Sequence, residues 1–396
     1  MKRRDFLKTS VLATAAFATP LSAETKTEKP LVRAYRVLGK TGLKISDISL
    51  GTGGLPSASM VLRAIDRGIN YMDTAPDYGS AEEYIGEAMK NIKRDKIIIA
   101  TKFCTPYSYP NHLQLGSKKK DYIKALEDSL SRMKTDYVDF CFVHAIGESN
   151  NKNAEKEKKR LLDEEMLSAV DELKKAGKMR FLGVSSHGPD NMEDLLLTAV
   201  RSGHFDLIMP AFNFMKAPRL PAVLKEAHDK GIAIVAMKTL AGAKDMKIEG
   251  KGEEFEPAAL KWTLSHPEIS GLVITIKNIS HLDLYLSASG QKFSAADQRT
   301  LDRYAGRFGK EYCRTGCNQC EPSCPEGVAI ASTLRFQMYF KDYGMEKKAL
   351  LSYARLERKA DKCFTCESES CSGACPYGLP VSALLRDAHG ELTFTV

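Results

Sequence analysis

Several features that would point to other kinds of protein are missing from this sequence. No basic patch is interleaved with aromatic residues, so nucleic-acid binding is not expected. No Gly-x-Gly-x-x-Gly opens a helix after a first strand, which argues against a doubly wound dinucleotide-binding fold. The apolar run near the amino terminus, residues 11–21, is too short to span a bilayer as a helix. No transmembrane segment is therefore expected once a signal is removed.

The composition is that of an ordinary soluble protein. The chain has 396 residues, of which 43% are hydrophobic and 27% charged. That length suffices for one barrel with an appendage or for two ordinary domains. The formal net charge is +8, and +3 of it comes from the first 23 residues. The rest of the chain is only mildly basic, and no nucleic acid is needed to explain it.

The amino terminus predicts export. Arg3 and Arg4 are followed by Phe6, Leu7 and Lys8 and then by the apolar run, an arrangement similar to a twin-arginine signal. Residues 1–23 are the predicted signal peptide, although Leu21 is a poor match to a cleavage site after Ala23. The predicted location is the periplasm, reached in an already folded state. An uncleaved amphipathic anchor is the alternative.

The central part of the chain alternates strand-like and helix-like segments. After a Lys-rich linker at 24–34, residues 35–46 read as a hairpin. Eight strand-like runs then follow, at 45–51, 70–75, 96–102, 137–144, 179–185, 207–213, 232–238 and 271–276. Helices are predicted between them, for instance at 80–91, 118–133, 161–176 and 191–201. This rhythm predicts an α/β fold, a (β/α)₈ TIM barrel over 35–290 with its site at the carboxyl ends of the strands.

Four side chains with proton chemistry fall at those strand ends. They are Asp73, Tyr78, Lys102 and His144. Each alone has an ordinary structural interpretation, such as a rim aromatic or a core histidine. Their placement at the same end of three consecutive strands indicates a site.

At these residues the chain resembles the aldo/keto reductase family, over roughly residues 35–289. The resemblance is carried by Leu-Gly-Lys-Thr-Gly-Leu-Lys, Gly-Ile-Asn-Tyr-Met-Asp-Thr-Ala, Asp-Tyr-Gly, Ala-Thr-Lys, Val-Asp-Phe-Cys-Phe-Val-His and Leu-Gly-Val-Ser-Ser-His. It implies that Tyr78 protonates a carbonyl oxygen, with Lys102 beside it and Asp73 pairing Lys102. His144 would orient the carbonyl of a small carbonyl or alcohol substrate.

The dinucleotide part of that family pattern is altered. The family holds the nicotinamide carboxamide with a Ser-Asn pair and a Gln, where this chain has Ser185, Ser186 and Met209. A methionine accepts hydrogen bonds only weakly. Lys277 remains able to bind a phosphate. The resemblance thus implies NADP(H) as a possible cofactor, with Ser185, Ser186 and Lys277 as its contacts.

Eight of the ten cysteines lie in two runs near the carboxyl end, each closing in Cys-Pro. They are Cys313, Cys317, Cys320 and Cys324, then Cys363, Cys366, Cys371 and Cys375. This resembles the bacterial ferredoxin pattern for two [4Fe–4S] clusters, in which the last cysteine of each run ligates the other cluster. The implied sets are Cys313, Cys317, Cys320 and Cys375, and Cys363, Cys366, Cys371 and Cys324. Structural zinc and disulfides are the alternatives.

Residues 291–396 are therefore predicted to form a small helical ferredoxin-like domain, with helices near 329–340 and 347–359. Some aldo/keto reductases carry such a tail. Of the other two cysteines, Cys141 is predicted to be core. Cys104 is two residues after Lys102, so its side chain faces the same side of the strand, and it either packs or reaches the site's rim.

The function predicted is an exported oxidoreductase whose clusters serve structure or electron transfer. A redox protein or a quinone-linked donor would be its partner. The alternative is a non-catalytic barrel that carries an electron-transfer module.

Overall fold

The computed structural model describes residues 29–106, 111–147, 154–188, 191–215, 219–242 and 254–393. The predicted signal peptide at 1–23 and the first part of the linker lie outside these residues. Among the described helices, none is long and apolar enough to cross a membrane.

Eight parallel strands close into a barrel, as the alternating pattern predicts. Strand β10 pairs with both β3 and β9, so the sheet has no free edge. Each strand is followed by helical structure on the outside. The barrel strands are β3 (Ile48–Gly51), β4 (Tyr71–Asp73), β5 (Ile98–Lys102), β6 (Val138–Val143), β7 (Met179–Ser186), β8 (Leu207–Pro210), β9 (Ala233–Ala236) and β10 (Gly271–Thr275).

The predicted strand at 45–51 is in fact two strands. β1 (Tyr35–Val37) and β2 (Lys44–Ser46) form a separate antiparallel hairpin, and β3 starts two residues after β2. Asp47 makes the break, because its buried carboxylate accepts hydrogen bonds from Ile48 N at 2.9 Å, Ser289 Oγ at 2.7 Å and Gly290 N at 2.8 Å. These bonds tie the hairpin to the segment that follows the last barrel helix.

The helices are shorter than the sequence predicts in two places. The predicted helix at 161–176 is divided, since Asp163 caps a new helix by accepting from Glu165 N at 2.9 Å. The predicted helix at 347–359 ends at Ala354. The helices are α1 (Ala58–Asp66), α2 (Ala81–Ala88), α3 (Lys119–Met133), α4 (Ala154–Leu161), α5 (Glu164–Lys175), α6 (Met192–Ser202), α7 (Leu220–Asp229), α8 (Phe255–Leu264), α9 (Ile279–Leu286), α10 (Ala295–Phe308), α11 (Ile330–Lys341), α12 (Glu346–Ala354), α13 (Ser370–Gly373) and α14 (Val381–Leu392).

The barrel interior is filled with side chains. Tyr71, Phe140 and Phe142 pack inside it, and Phe140 also lies 5.3 Å from Phe181, centroid to centroid. A second apolar layer joins the strands to the surrounding helices. Since the interior is solid, only the ends of the barrel can hold a ligand.

The carboxyl-terminal region is helical and has an apolar cluster of its own. That cluster runs from Cys320 to Leu392 and is built by α11, α12 and α14. Helix α10 instead joins the barrel's cluster, where the Tyr304 ring stacks on Phe255 at 4.1 Å. The ferredoxin-like character of this region and its boundary at 290 stay predictions.

Candidate active site

Lys102 is a buried lysine at the end of β5. Its ammonium donates to Asp73 Oδ1 at 2.7 Å and to the Thr74 carbonyl at 2.7 Å. Asp73 ends β4, the neighbouring strand, so the parallel register alone brings the two side chains together. Burial raises the pKa of the Asp73 carboxyl, and the Lys102 ammonium opposes that rise. The pair fixes a charged ammonium at the mouth of the barrel.

Tyr78 lies over this ammonium. It follows β4 through a turn in which Tyr78 N donates to the Ala75 carbonyl at 3.1 Å. Its half-buried ring has the Lys102 Nζ 5.0 Å from its centroid. The His144 ring stands 6.0 Å away, at 71°. The structure thus brings all four predicted residues to one end of the barrel, while their catalytic roles stay predictions.

His144 is held from both sides. It follows β6, and its backbone carbonyl accepts from both terminal nitrogens of Arg160 at 3.1 Å. Its Nδ1 lies 3.0 Å from Cys104 Sγ. Burial lowers the pKa of His144 well below its ordinary value, and the Lys102 charge lowers it further. The imidazole is therefore neutral at pH 7.

Three residues beside His144 were not predicted as part of the site. Cys104 contacts the imidazole directly, Asp77 Oδ2 lies 3.8 Å from its Nδ1, and the His112 ring stands 5.7 Å from the His144 ring. Burial raises the pKa of Asp77 to about 6 and lowers that of His112 to about 3. There was one signal for Cys104: it lies two residues after Lys102, and alternate residues of a strand face the same side. Nothing in the sequence indicated His112, which reaches the site through a backbone bridge to Cys104.

Comparison with known proteins agrees with this geometry. The sequence profile of the Aldo/keto reductase family matches residues 55–247. L-galactose dehydrogenase of Arabidopsis thaliana is 26% identical over 308 residues, which cover 67% of this chain and 91% of that protein. Residues 55–247 therefore belong to the aldo/keto reductase family. The chain is an oxidoreductase of that type.

Two further relatives match over a shorter span. An oxidoreductase of Bacillus subtilis is 34% identical over 215 residues, or 52% of this chain and 64% of that protein. L-glyceraldehyde 3-phosphate reductase of Escherichia coli is 29% identical over 226 residues, or 52% and 61%. Each of these two matches spans less than two thirds of the relative.

Among solved structures, an aldo-keto reductase from Pseudomonas aeruginosa has the same barrel fold. It superposes with a TM-score of 0.54 at 24% identity, and the match covers 66% of this chain and 96% of that one. At that identity the likeness is one of fold.

Two of the three predicted dinucleotide contacts of this aldo/keto reductase are hydrogen-bonded to the backbone. Ser185 Oγ accepts from Ala145 N at 3.0 Å, and Ser186 Oγ donates to the Ile146 carbonyl at 2.8 Å. Met209 is buried inside the barrel. Lys277 is exposed beyond β10. The Ser186 hydroxyl proton is thus donated to the backbone, whereas the Ser185 hydroxyl accepts and keeps its own proton for another acceptor.

Helix α11 lies across the ends of β7 and β9. Arg335 of α11 donates to the Gly188 carbonyl at 2.7 Å and lies 2.9 Å from His187 Nδ1. On the β9 side, Lys238 Nζ stands 4.9 Å from the Tyr339 ring centroid and 5.2 Å from that of Tyr343. The carboxyl-terminal region thus contacts the barrel at the ends of β7 and β9.

The eight tail cysteines fall into two groups by proximity. Burial raises the pKa of the Cys313 thiol, and the nearby thiols of Cys317, Cys320 and Cys375 raise it further. Burial raises the pKa of Cys363 to about 11, with Cys324, Cys371 and Cys366 as its neighbours. The neighbours of these two thiols match the two predicted groups, and the role of the thiols as cluster ligands stays a prediction.

The tail cysteines are free thiols. All ten cysteines of the chain lie within the described residues, and none is in a disulfide. No three tail thiols come within 4.8 Å of one another. Zinc bound by four thiolates at about 2.3 Å would need sulfur–sulfur distances of about 3.8 Å. Neither group of tail thiols is therefore preformed for a single zinc ion.

Proposed function

We propose that this aldo/keto reductase reduces a carbonyl group, or oxidises the corresponding alcohol, with Tyr78 as the proton donor. The observation that carries the proposal is the Lys102 ammonium, fixed by Asp73 and Thr74 and lying 5.0 Å from the Tyr78 ring centroid. A free phenol titrates near pH 10, and a neighbouring cation stabilises the phenolate. Each pKa unit gained this way corresponds to about 1.4 kcal/mol. Tyr78 then becomes an acid suited to neutral pH.

His144 orients the substrate in this proposal. A neutral imidazole carries one N–H and can donate it to the carbonyl oxygen without competing with Tyr78 for the proton. Its pKa is held low by burial and by Lys102, which keeps it in that form. Asp73 keeps the charge of Lys102 in place during the proton transfer, because the two side chains share a dry environment.

We infer that the electrons do not come from a dinucleotide bound in the family's way. Members of the family typically use NAD(P)H. Here the carboxamide contacts fit poorly, because Met209 replaces the Gln, and Ser186 replaces the Asn and donates its hydroxyl proton to the backbone. Arg335 and the Tyr339 and Tyr343 rings contact the barrel at the ends of β7 and β9.

The tail cysteines supply the alternative. Their donor set of eight free thiols in two groups fits two [4Fe–4S] clusters, one held by Cys313, Cys317, Cys320 and Cys375 and the other by Cys324, Cys363, Cys366 and Cys371. Such clusters, when bound, carry single electrons. A redox protein or a quinone-linked donor would be the partner. The twin-arginine-like residues 1–23 support assembly in the cytoplasm followed by folded export to the periplasm.

The names of the relatives indicate which substrates to try first. L-galactose dehydrogenase and L-glyceraldehyde 3-phosphate reductase both act, by name, on a small sugar or sugar derivative. A panel of sugars and sugar carbonyls is therefore the first choice for this chain.

The test is turnover of Tyr78→Phe. The variant keeps the ring and loses the hydroxyl, so turnover with a reduced viologen dye as donor should fall by about 10²–10⁴-fold. Tyr84→Phe, on the half-buried face of α2, is the matched control and should keep full turnover. Unchanged turnover in Tyr78→Phe would remove Tyr78 from the reaction. No turnover in any variant, with the iron–sulfur colour retained, would favour the scaffold alternative.

A further inference from the structure

We propose that Asp77, Cys104 and His144 form a binding site for one divalent metal ion of the zinc type, directly behind the substrate site. One ligand atom from each residue lies within 4.8 Å of the other two, and all three residues are buried. The inference rests on this geometry and not on the proposed reaction.

The distances are close to those of a tetrahedral site. Cys104 Sγ and Asp77 Oδ2 lie 3.0 and 3.8 Å from His144 Nδ1. With zinc–sulfur bonds of about 2.3 Å and zinc–nitrogen and zinc–oxygen bonds of about 2.0 Å, the corresponding tetrahedral edges are about 3.5 and 3.3 Å. Shifts of about half an ångström in each side chain would therefore seat the ion.

Two buried polar atoms at this site have no hydrogen-bond partner among the residues that the structure describes. They are Asp77 Oδ1 and His112 Nδ1, on residues only 6% and 8% exposed. The other carboxylate oxygen of Asp77 accepts a long bond from Asn111 N, at 3.3 Å. An unsatisfied buried polar atom costs about 1–3 kcal/mol. A cation held by Asp77 Oδ2 and His144 Nδ1 would balance the buried charge of the carboxylate, and His112 or a water would complete the coordination.

The donor set selects the kind of metal. A thiolate, an imidazole and a carboxylate suit zinc and similar borderline ions, whereas calcium and magnesium prefer oxygen ligands alone. Cys104 must bind as the thiolate, so each ion bound releases the thiol proton to solvent. Three protein ligands with an open fourth position are typical of zinc sites that act in catalysis rather than in folding.

The site has a consequence for His144. A metal on Nδ1 leaves Nε2 as the only ring nitrogen able to carry a proton. The imidazole is then fixed as a hydrogen-bond donor through Nε2. Asp77 and Cys104 are positioning residues in this arrangement, because they act on the substrate only through His144.

Zinc X-ray absorption on the full chain, purified with its iron–sulfur centres and supplied with Zn²⁺ alone, tests the site. We expect one sulfur at about 2.3 Å and two or three nitrogen or oxygen atoms at about 2.0–2.1 Å for each zinc. Zinc misplaced in the tail cysteines would instead show up to four sulfur neighbours. That result, or no zinc retained after dialysis, would overturn the proposal. If the protein does not act on carbonyls, the zinc spectrum should still show one sulfur neighbour. Failure of the proposed reaction can therefore be distinguished from failure of the proposed metal site.

Variants locate the ion. Cys104→Ser should lose the sulfur neighbour and bind zinc at least tenfold more weakly, and Asp77→Asn should also weaken binding. Cys141→Ser is the matched control, since Cys141 is an equally buried barrel cysteine outside the site. Equal zinc content and spectra in Cys104→Ser and Cys141→Ser would contradict the assignment. Retained brown colour and circular dichroism establish that each variant is folded. If Cys104→Ser does not fold, the zinc content of Asp77→Asn provides the test.

Discussion

At the residue scale, Lys102 connects stability to chemistry. It is 1% exposed, and its ammonium contacts one carboxylate and one backbone carbonyl. A buried charge pair of this kind contributes little net stability, but removing one partner leaves the other charge buried alone. The same ammonium is the cation closest to Tyr78 in the proposed reaction.

Lys102→Met should therefore lose both stability and activity. We expect a loss of about 3–5 kcal/mol in the free energy of unfolding, because the Asp73 carboxylate is left without its cation. Turnover should fall about 100-fold or more. Urea unfolding and steady-state turnover measure the two effects.

The double variant separates the two roles of this pair. Asp73→Asn added to Lys102→Met removes the unpaired charge, so stability should partly return while turnover stays low. Lys96→Met, an exposed lysine before the same strand, should change neither. Recovery of turnover in the double variant would contradict the role given to Lys102.

Sequence patterns predicted residues at strand ends better than residues on loops. The alternation of strand-like and helix-like segments shows where each strand ends. This was enough to place Asp73, Tyr78, Lys102 and His144. Asp47 breaks a strand through hydrogen bonds to Ser289 and Gly290, more than 240 residues away. Such a long-range contact leaves no local pattern. His112 likewise reaches the site through a loop, which has no periodicity to read.

At the element scale, α11 links the tail to the barrel. Its Arg335 is buried and donates to the carbonyl of Gly188, just after β7. The sequence predicted the helix but not what it covers, because amphipathic periodicity does not identify the surface a helix packs on. The contact is the main polar tie between α11 and the end of β7 among the described residues.

Arg335→Met should loosen this helix without unfolding the barrel. The variant leaves the Gly188 carbonyl without its donor, at an expected cost of about 1–3 kcal/mol. Hydrogen exchange should speed up in α11 and at the end of β7, while β4 and β5 stay protected. Arg355→Met, an exposed residue just after α12, should leave exchange unchanged. Equal protection of α11 in both variants would mean that other contacts hold it.

At the scale of the whole molecule, the two cysteine runs are interleaved. Each predicted set takes three cysteines from one run and the last cysteine of the other, and the thiols lie close together in those sets. The two runs would then depend on each other for folding, with α11 and α12 between them.

Double variants test this pairing through iron content. Two clusters correspond to about eight iron atoms per chain, and Cys375→Ala should leave about four. Cys317→Ala added to Cys375→Ala should lose no more iron, because both residues hold the same cluster. Cys366→Ala added to Cys375→Ala should lose nearly all of it. The reverse pattern would mean that each run binds its own cluster.

The central claim is that an aldo/keto reductase site here receives its electrons by a route other than a bound dinucleotide. Equilibrium titration of the full chain with NADPH, followed by protein fluorescence, tests it most directly. We expect no saturable binding up to about 1 mM, which corresponds to less than about 4 kcal/mol of binding free energy. Saturable binding in the micromolar range, weakened by Lys277→Ala, would contradict it.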